Sequence, residues 1–174
     1  MPLSFDNQQD ANEYAKSKKQ EGYETEVKRE GNFYKVKVLG FTGTQKGMTE
    51  SQKEITSILM DDLECKEVHH GDCIGADTDF HKLAQEKDLD IVIHPASGVG
   101  DKRAYNEGAK KTEEEKPPLV RNWDIVEKSD AIIATPKGNK EEIRSGTWAT
   151  IRYAKKKGKK LFIVNPDGSY QEYN

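Results

Sequence analysis

Three short stretches of this sequence place glycine beside small hydroxyl or carboxylate side chains: Gly40-Phe-Thr-Gly-Thr-Gln-Lys-Gly47, Gly71-Asp-Cys-Ile-Gly-Ala-Asp77 and Arg144-Ser-Gly-Thr147. Glycine lets a backbone approach a ligand closely, and an amide at the start of a helix is a ready donor to an anion. In the first stretch the hydroxyls of Thr42 and Thr44, with Gly43 and Gln45 between and beside them, suit a phosphate or a ribose. In the second, Asp72 and Asp77 can accept hydroxyl hydrogens from a sugar, and Gly71, Gly75 and Ala76 shape the turn. In the third, Ser145, Gly146 and Thr147 set small donors where a helix begins.

Other reactive side chains carry weaker signals. His69, His70, Cys73 and His81 invite a zinc reading, but no C-x-x-C or H-E-x-x-H spacing accompanies them, and adjacent strand residues face opposite ways. Cys73 precedes a helix start, which lowers a thiol pKa, yet no base and orienting partner are evident. Arg121 and Asn122 follow two prolines near the start of a short helix. An arginine there can fork onto a phosphate or form a surface ion pair, and the sequence leaves both open. The P-loop pattern G-x-x-x-x-G-K-[ST] and the dinucleotide pattern G-x-G-x-x-G are both absent, so neither an ATPase nor a simple NAD dehydrogenase is supported.

The elements that must position these residues alternate. From Phe33 the chain reads FYKVKVLGF, TESQKEITSILMDDL, KEVHH, ADTDFHKLAQEKD and DIVIHP. After a polar insertion it continues VRNWDIVEKSD, AIIATP, GTWATIRYAKKKG and KLFIVNP. Strands alternating with helices predict an α/β fold, a Rossmann-like parallel sheet with helices on both faces. Ile55, Ile58, Leu59 and Leu63, and Phe80, Leu83 and Ala84, recur at helical spacing as core stripes. Val120, Trp123, Ile125 and Val126 read as the buried face of the helix after the prolines, and Thr49 with Gln52 reads as a capping box. In such a sheet ligands bind at the carboxyl ends of the strands, where all three glycine stretches fall.

Residues 1–32 read as an appendage, with a helix over Asp10 to Gln20 and a hairpin turning at Gly31 and Asn32; residues 33–174 form the Rossmann-like domain. Ser97 to Pro118 is longer than the ~12 to 15 residues usual for a structureless loop, which makes it a candidate lid.

Composition narrows the function classes. The 174 residues are 34% charged and 33% hydrophobic, with a net charge of -3, so no overall basic footprint for nucleic acid exists. The run Lys155 to Lys160 is the basic exception, and it falls where a helix dipole favours cations. Two cysteines fit a reduced compartment, and no apolar run is long enough for a membrane span or a signal peptide. The expectation is a cytoplasmic protein with a nucleotide-type small molecule as its partner, no nucleic acid, no membrane, no metal and no cofactor.

The ordered set GFTGT, HHGDCIGAD, HPA, RN with IVEKSDAIIATP, and RSGTWATIRYAKKKGKKLFIV resembles the SLOG superfamily of Rossmann-like nucleotide-binding proteins, over about residues 36 to 166. The pattern is similar to its YspA-like branch, with LOG phosphoribohydrolases and the DNA-processing protein DprA as more distant relatives. The resemblance implies a nucleotide or an ADP-ribose-like ligand. Gly43 and Thr44 would line its phosphate or base side, Gly71, Asp72, Gly75 and Asp77 its sugar, Arg121 and Asn122 its middle, and Ser145, Gly146 and Thr147 a phosphate.

LOG hydrolases carry P-G-G-x-G-T-x-x-E, and Thr150 stands where the glutamate would be. The catalytic residue is therefore unknown, with Asp72 and Asp77 as candidates and Glu141 or Glu142 as further substitutes. Three functions follow: ligand binding, cleavage or transfer at an N-glycosidic bond, and a sponge or sensor for nucleotide signals in bacteria-phage conflict. The resemblance and an exposed hairpin edge also point to a homo-oligomer.

Overall fold

The structure is a computed structural model that describes residues 28–29, 32–33 and 36–174. The expected helix over Asp10 to Gln20 lies outside the described residues. Strands β1 (Lys28–Arg29) and β2 (Asn32–Phe33) pair antiparallel, so Asn32 belongs to a strand and not to the turn assigned to it.

The main sheet has seven strands: β3 (Val38–Gly43), β4 (Glu67–His70), β5 (Asp90–Ile93), β6 (Lys111–Thr112), β7 (Ala131–Thr135), β8 (Lys160–Val164) and β9 (Tyr170–Tyr173). Four helices connect them: α1 (Glu50–Leu63), α2 (Ala76–Glu86), α3 (Pro118–Lys128) and α4 (Gly146–Lys156). The spatial order is β6-β5-β4-β3-β7-β8-β9. Neighbours run parallel except β9, which returns antiparallel against β8. The alternating sequence pattern thus gives the expected Rossmann-like fold, with an antiparallel edge that the short YQEY run did not announce.

Chain order explains where a ligand site can form. The chain enters at β3, steps outward to β6, and then crosses back through α3 to β7 on the other side of β3. The loops after β3 and β7 therefore diverge and open a crevice at the strand ends. The central strands are apolar on both faces, as a doubly covered parallel sheet requires: all five residues of β7 are buried. Helices α1 and α2 cover one face, where Phe41 and Phe80 stack with ring centroids 4.2 Å apart. Helices α3 and α4 cover the other through Val126, Trp148 and Ile151. Each such side chain withdrawn from water contributes roughly 1.5–3 kcal/mol.

Helix α1 begins with the expected capping box: Gln52 N donates to Thr49 Oγ1 (3.0 Å) and Thr49 N donates to Gln52 Oε1 (3.0 Å). Gln52 does more than cap. Its Nε2 donates to Pro136 O and Val164 O (both 2.9 Å), which ties the ends of β7 and β8 to α1.

The long insertion is ordered on the body. A 3-10 turn (Gly100–Lys102) and β6 lie within it, β6 pairs with β5, and bridges join Cys73 to Arg103 and Ala96 to Lys116. Lys160, assigned above to a helix-end cluster of cations, is buried in β8, where Nζ meets Glu172 (2.6 Å) and Asn174 Oδ1 (3.1 Å). Among the described residues no helix is long and apolar enough to cross a membrane.

Candidate functional site

Backbone bonds draw the loops after β3, β4 and β7 together. Thr44 N donates to Thr135 O (3.1 Å), and Thr44 O accepts from Gly47 N (3.1 Å) and Ala76 N (2.9 Å). Gly75 sits at φ +88 with its α-carbon against Gln45 O, and a β-carbon there would overlap that carbonyl. Gly43 is equally hemmed in by Thr135 Oγ1 and the Ala76 methyl. Glycine is required at both places for the loops to close on each other, which is a structural use of residues that also face a ligand edge.

Between the loops lies a cavity of about 520 Å³. Thr42, Gly43, Thr44 and Gln45 line it from the first loop, Gly71 and Asp77 from the second, Arg121 and Asn122 from α3, and Ser145, Gly146 and Thr147 from the start of α4. Three expected contacts are not in its wall. Asp72 and Ala76 are wholly buried, and Gly75 is pressed against Gln45. The wall adds Phe41, Lys46, Cys73, Ile125, Lys137, Glu142 and Arg144.

Charge is distributed unevenly in this wall. Four charged side chains among the described residues are buried: Asp72, Asp77, Arg121 and Lys160. Asp72 is paired with Arg103 and Lys160 with Glu172. Arg121 and Asp77, 7% and 6% exposed, have no opposite charge within ion-pair distance among the described residues, and both line the cavity. Arg121 is instead aimed by neutral acceptors: Nη1 donates to Gly71 O (2.6 Å) and His94 O (3.0 Å), and Nε donates to Asn122 Oδ1 (2.8 Å).

The helix phase explains the arginine's burial. Val120, expected inside, is 44% exposed, and Arg121 takes the inward position with Ile125 and Val126. Among the described residues the surface ion pair left open above is not formed.

Burial is the main reason that the Asp77 carboxyl is pushed up to about 6. The Cys73 amide (3.0 Å) and the Arg121 charge hold it down only in part. Burial and the Asp77 charge also push the Cys73 thiol up to about 11, despite Arg121 Nη2 at 3.7 Å from Sγ. The helix-start effect is overridden, and Cys73 is a thiol at neutral pH, unsuited to nucleophilic work. Lys46 and Arg144 have no carboxylate partner among the described residues, while Lys137 meets Glu142 at 3.3 Å. At the start of α4, Ser145 Oγ accepts from Trp148 N (3.2 Å), and the first residues of the helix, Gly146 and Thr147, line the cavity.

Asp72 is used differently. Its carboxylate accepts from Arg103 Nε (3.1 Å), Asn106 N and Asn106 Nδ2 (both 2.9 Å), and its carbonyl accepts from Ala104 N (2.8 Å). These bonds clasp the insertion to the second loop. His70 and His81 are buried and joined to the same clasp. The amide of Asp72 donates to His70 Nδ1 (2.9 Å), so His70 Nε2 carries the proton and donates to His81 Nδ1 (2.8 Å). His81 Nε2 in turn donates to Glu107 O (2.7 Å).

On the other face Glu67 accepts from His69 Nε2 (2.7 Å), and His94 Nε2 donates to His69 Nδ1 (2.7 Å). Burial lowers His69, sends His70 well below the usual range and holds His94 at about 3. Among the described residues no three His, Cys, Asp or Glu side chains gather as a metal site.

Of the substitute carboxylates, Glu142 reaches the cavity, whereas Glu141 is bound to Arg152 (2.8 Å). Thr150 is buried and donates to Gly146 O (3.0 Å) inside its own helix. Sequence reasoning passed over Lys46, Lys137 and Arg144 as wall residues. Lys46 lies inside the first glycine stretch and Arg144 opens the third, but a lone cation in a chain so rich in them gives no signal until its partners are known.

A scan against protein-family models and a search of curated proteins return no match. Among solved structures the chain is similar to the X-ray structure of TM1055, a structural genomics target, with a TM-score of 0.52 and 16% identity over 72% of each chain. This likeness shows a shared Rossmann-like fold.

Proposed function

We propose that the strand-end cavity binds a nucleotide-derived small molecule, ADP-ribose-like or a nucleoside phosphate, in the manner of the YspA-like branch of the SLOG superfamily. The observation that carries this reading is that two buried opposite charges, Arg121 and Asp77, line one cavity at the switch point of the sheet without closing an ion pair with each other or with any other described residue. A buried charge that closes no ion pair is costly, and a bound phosphate and sugar hydroxyl would give Arg121 and Asp77 further partners. Isothermal titration with ADP-ribose, its cyclic isomers and nucleoside monophosphates tests it. Binding is expected, weakened at least ~10-fold by Arg121→Lys in a protein whose circular dichroism is unchanged, because a lysine cannot reproduce the forked donors. No binding by any of them to folded protein would overturn the reading.

One observation favours a second reading, hydrolysis of an N-glycosidic bond. A carboxyl held at about 6 can give and take a proton near neutral pH. Asp77 would protonate the leaving nitrogen as the C–N bond breaks, and water would add to the sugar carbon and return a proton to the carboxylate. Chromatographic release of free base, lost in Asp77→Asn, supports this reading; an intact ligand after prolonged incubation rejects it.

A further inference from the structure

Gly71 differs from Gly43 and Gly75 in what it makes room for. Gly75 takes a left-handed backbone against Gln45 O, and Gly43 is hemmed in by Thr135 and Ala76. The φ of Gly71 is not positive, so its backbone does not by itself call for glycine. The three nearest atoms that a β-carbon at position 71 would meet all belong to the Arg121 guanidinium. It would overlap Nη1 and lie 2.8 Å from Cζ and 3.2 Å from Nε. The guanidinium occupies the volume that a side chain there would take.

Gly71 also bonds the group it makes room for. Gly71 O and His94 O, just past the ends of β4 and β5, accept from Nη1 at 2.6 Å and 3.0 Å, and Asn122 Oδ1 accepts from Nε. Of the five N–H donors of an arginine this leaves the two on Nη2. Their polar contact among the described residues is the Cys73 sulfur at 3.7 Å. The amides of Gly71 and Cys73 meanwhile donate to the Asp77 carboxylate. One short stretch of backbone therefore holds both buried charges by its neutral dipoles, carbonyl to the cation and amides to the anion.

We infer that Gly71 is a positioning residue of this cavity: the absence of a side chain there seats Arg121 on the loop, without an ion pair to Asp77, and leaves Nη2 for an acceptor on the ligand. For the ligand this rests on the nucleotide reading above, and it goes beyond that reading in giving Gly71 a role that acts through Arg121.

A double-mutant cycle on the full chain, Gly71→Ala with Arg121→Ala, tests the inference by urea denaturation and by titration with ADP-ribose and AMP. The arginine is the far end of a flexible side chain, so Gly71→Ala is expected to displace it and spare the fold. Gly71→Ala should lower the urea midpoint of the wild type and not that of Arg121→Ala, where the volume is vacant. Each single change should weaken the nucleotides at least ~10-fold, and the double variant less than ~3-fold beyond Arg121→Ala alone. Should Gly71→Ala fail to fold by itself, recovery of folded protein on adding Arg121→Ala supports the seat, and a double variant that also fails overturns it. An equal drop in midpoint in both backgrounds overturns the inference, because the backbone and not the arginine would then refuse the β-carbon. A folded Gly71→Ala that binds as tightly as the wild type also overturns it and leaves nucleotide binding standing. Binding of neither probe to folded wild type overturns the nucleotide reading and the assignment of Nη2 with it, while the denaturation cycle still decides whether Gly71 seats the arginine.

Discussion

Asp72 and Asp77 lie five positions apart in one loop, and both carboxylates are buried, yet they end in opposite circumstances. Asp72 is saturated: a guanidinium, a backbone amide and a side-chain amide meet it, and its own amide starts the His70–His81–Glu107 circuit. Asp77 has the Cys73 and Gly71 amides and the more distant Arg121 charge, closes no ion pair among the described residues, and lines a cavity. A polar network with every member satisfied fixes structure, whereas a buried polar group short of partners invites a ligand. The contrast assigns the first carboxylate to holding the insertion in place and the second to the cavity's chemistry.

The largest expected effect tests the saturated side. Asp72→Ala strips the Asn106 amide of its acceptor and leaves Arg103 with only the Glu115 carboxylate at 3.4 Å, a loss of about 3 kcal/mol in urea denaturation at neutral pH. Asp72→Asn keeps an acceptor and tolerates the left-handed backbone at φ 58, so it should lose about half as much. A loss below about 1 kcal/mol for Asp72→Ala would break the comparison, since the clasp would then be no firmer than a surface contact.

The histidines supply the next effect. His69, His70 and His94 are held neutral in the fold, below the unfolded value of 6.5, so the unfolded chain binds more protons as the medium is acidified. Their contribution is full above 6.5 and is lost as pH falls toward the folded values. His94, at about 3 in the fold, alone accounts for a loss of about 2 kcal/mol by pH 5. Denaturation midpoints from pH 8 to pH 5 should fall accordingly. A flat profile would show that these imidazoles charge without disturbing the fold.

How far this division was legible depends on what each residue needs to reveal itself. The sheet was legible because IVIH, AIIA and LFIV are continuous apolar runs between helical stripes, and each became a buried strand. The capping box was legible because it is local. The insertion was not, because Arg103 and Asn106 find Asp72 across about thirty positions of chain, and no periodicity records such a pairing. Val120 misled for a related reason: its apolar character suggested the core, but two carbonyls waited for the adjacent arginine. Asp72 and Asp77 looked interchangeable in GDCIGAD, and only the partners of each tell them apart.

The smallest effect belongs to Asp77, and its sign opposes that of the histidines. Its folded pKa of about 6 lies above the ordinary 3.8, so the stability it contributes is full below 3.8 and is lost as pH rises through 6. Asp77→Asn stays neutral throughout and can still accept from Cys73 N. From pH 5 to pH 8 the variant should therefore gain about 1.4 kcal/mol on the wild type, in spite of losing a carboxylate from the cavity. Urea denaturation at the two pH values checks this. A loss of stability at pH 8 would mean that Asp77 is held by its neighbours as Asp72 is, and the loop would then contain two structural carboxylates and none poised for a ligand. A gain at pH 8, with ligand affinity reduced in the same variant, would locate the cost of the buried charge and the use of it in one side chain.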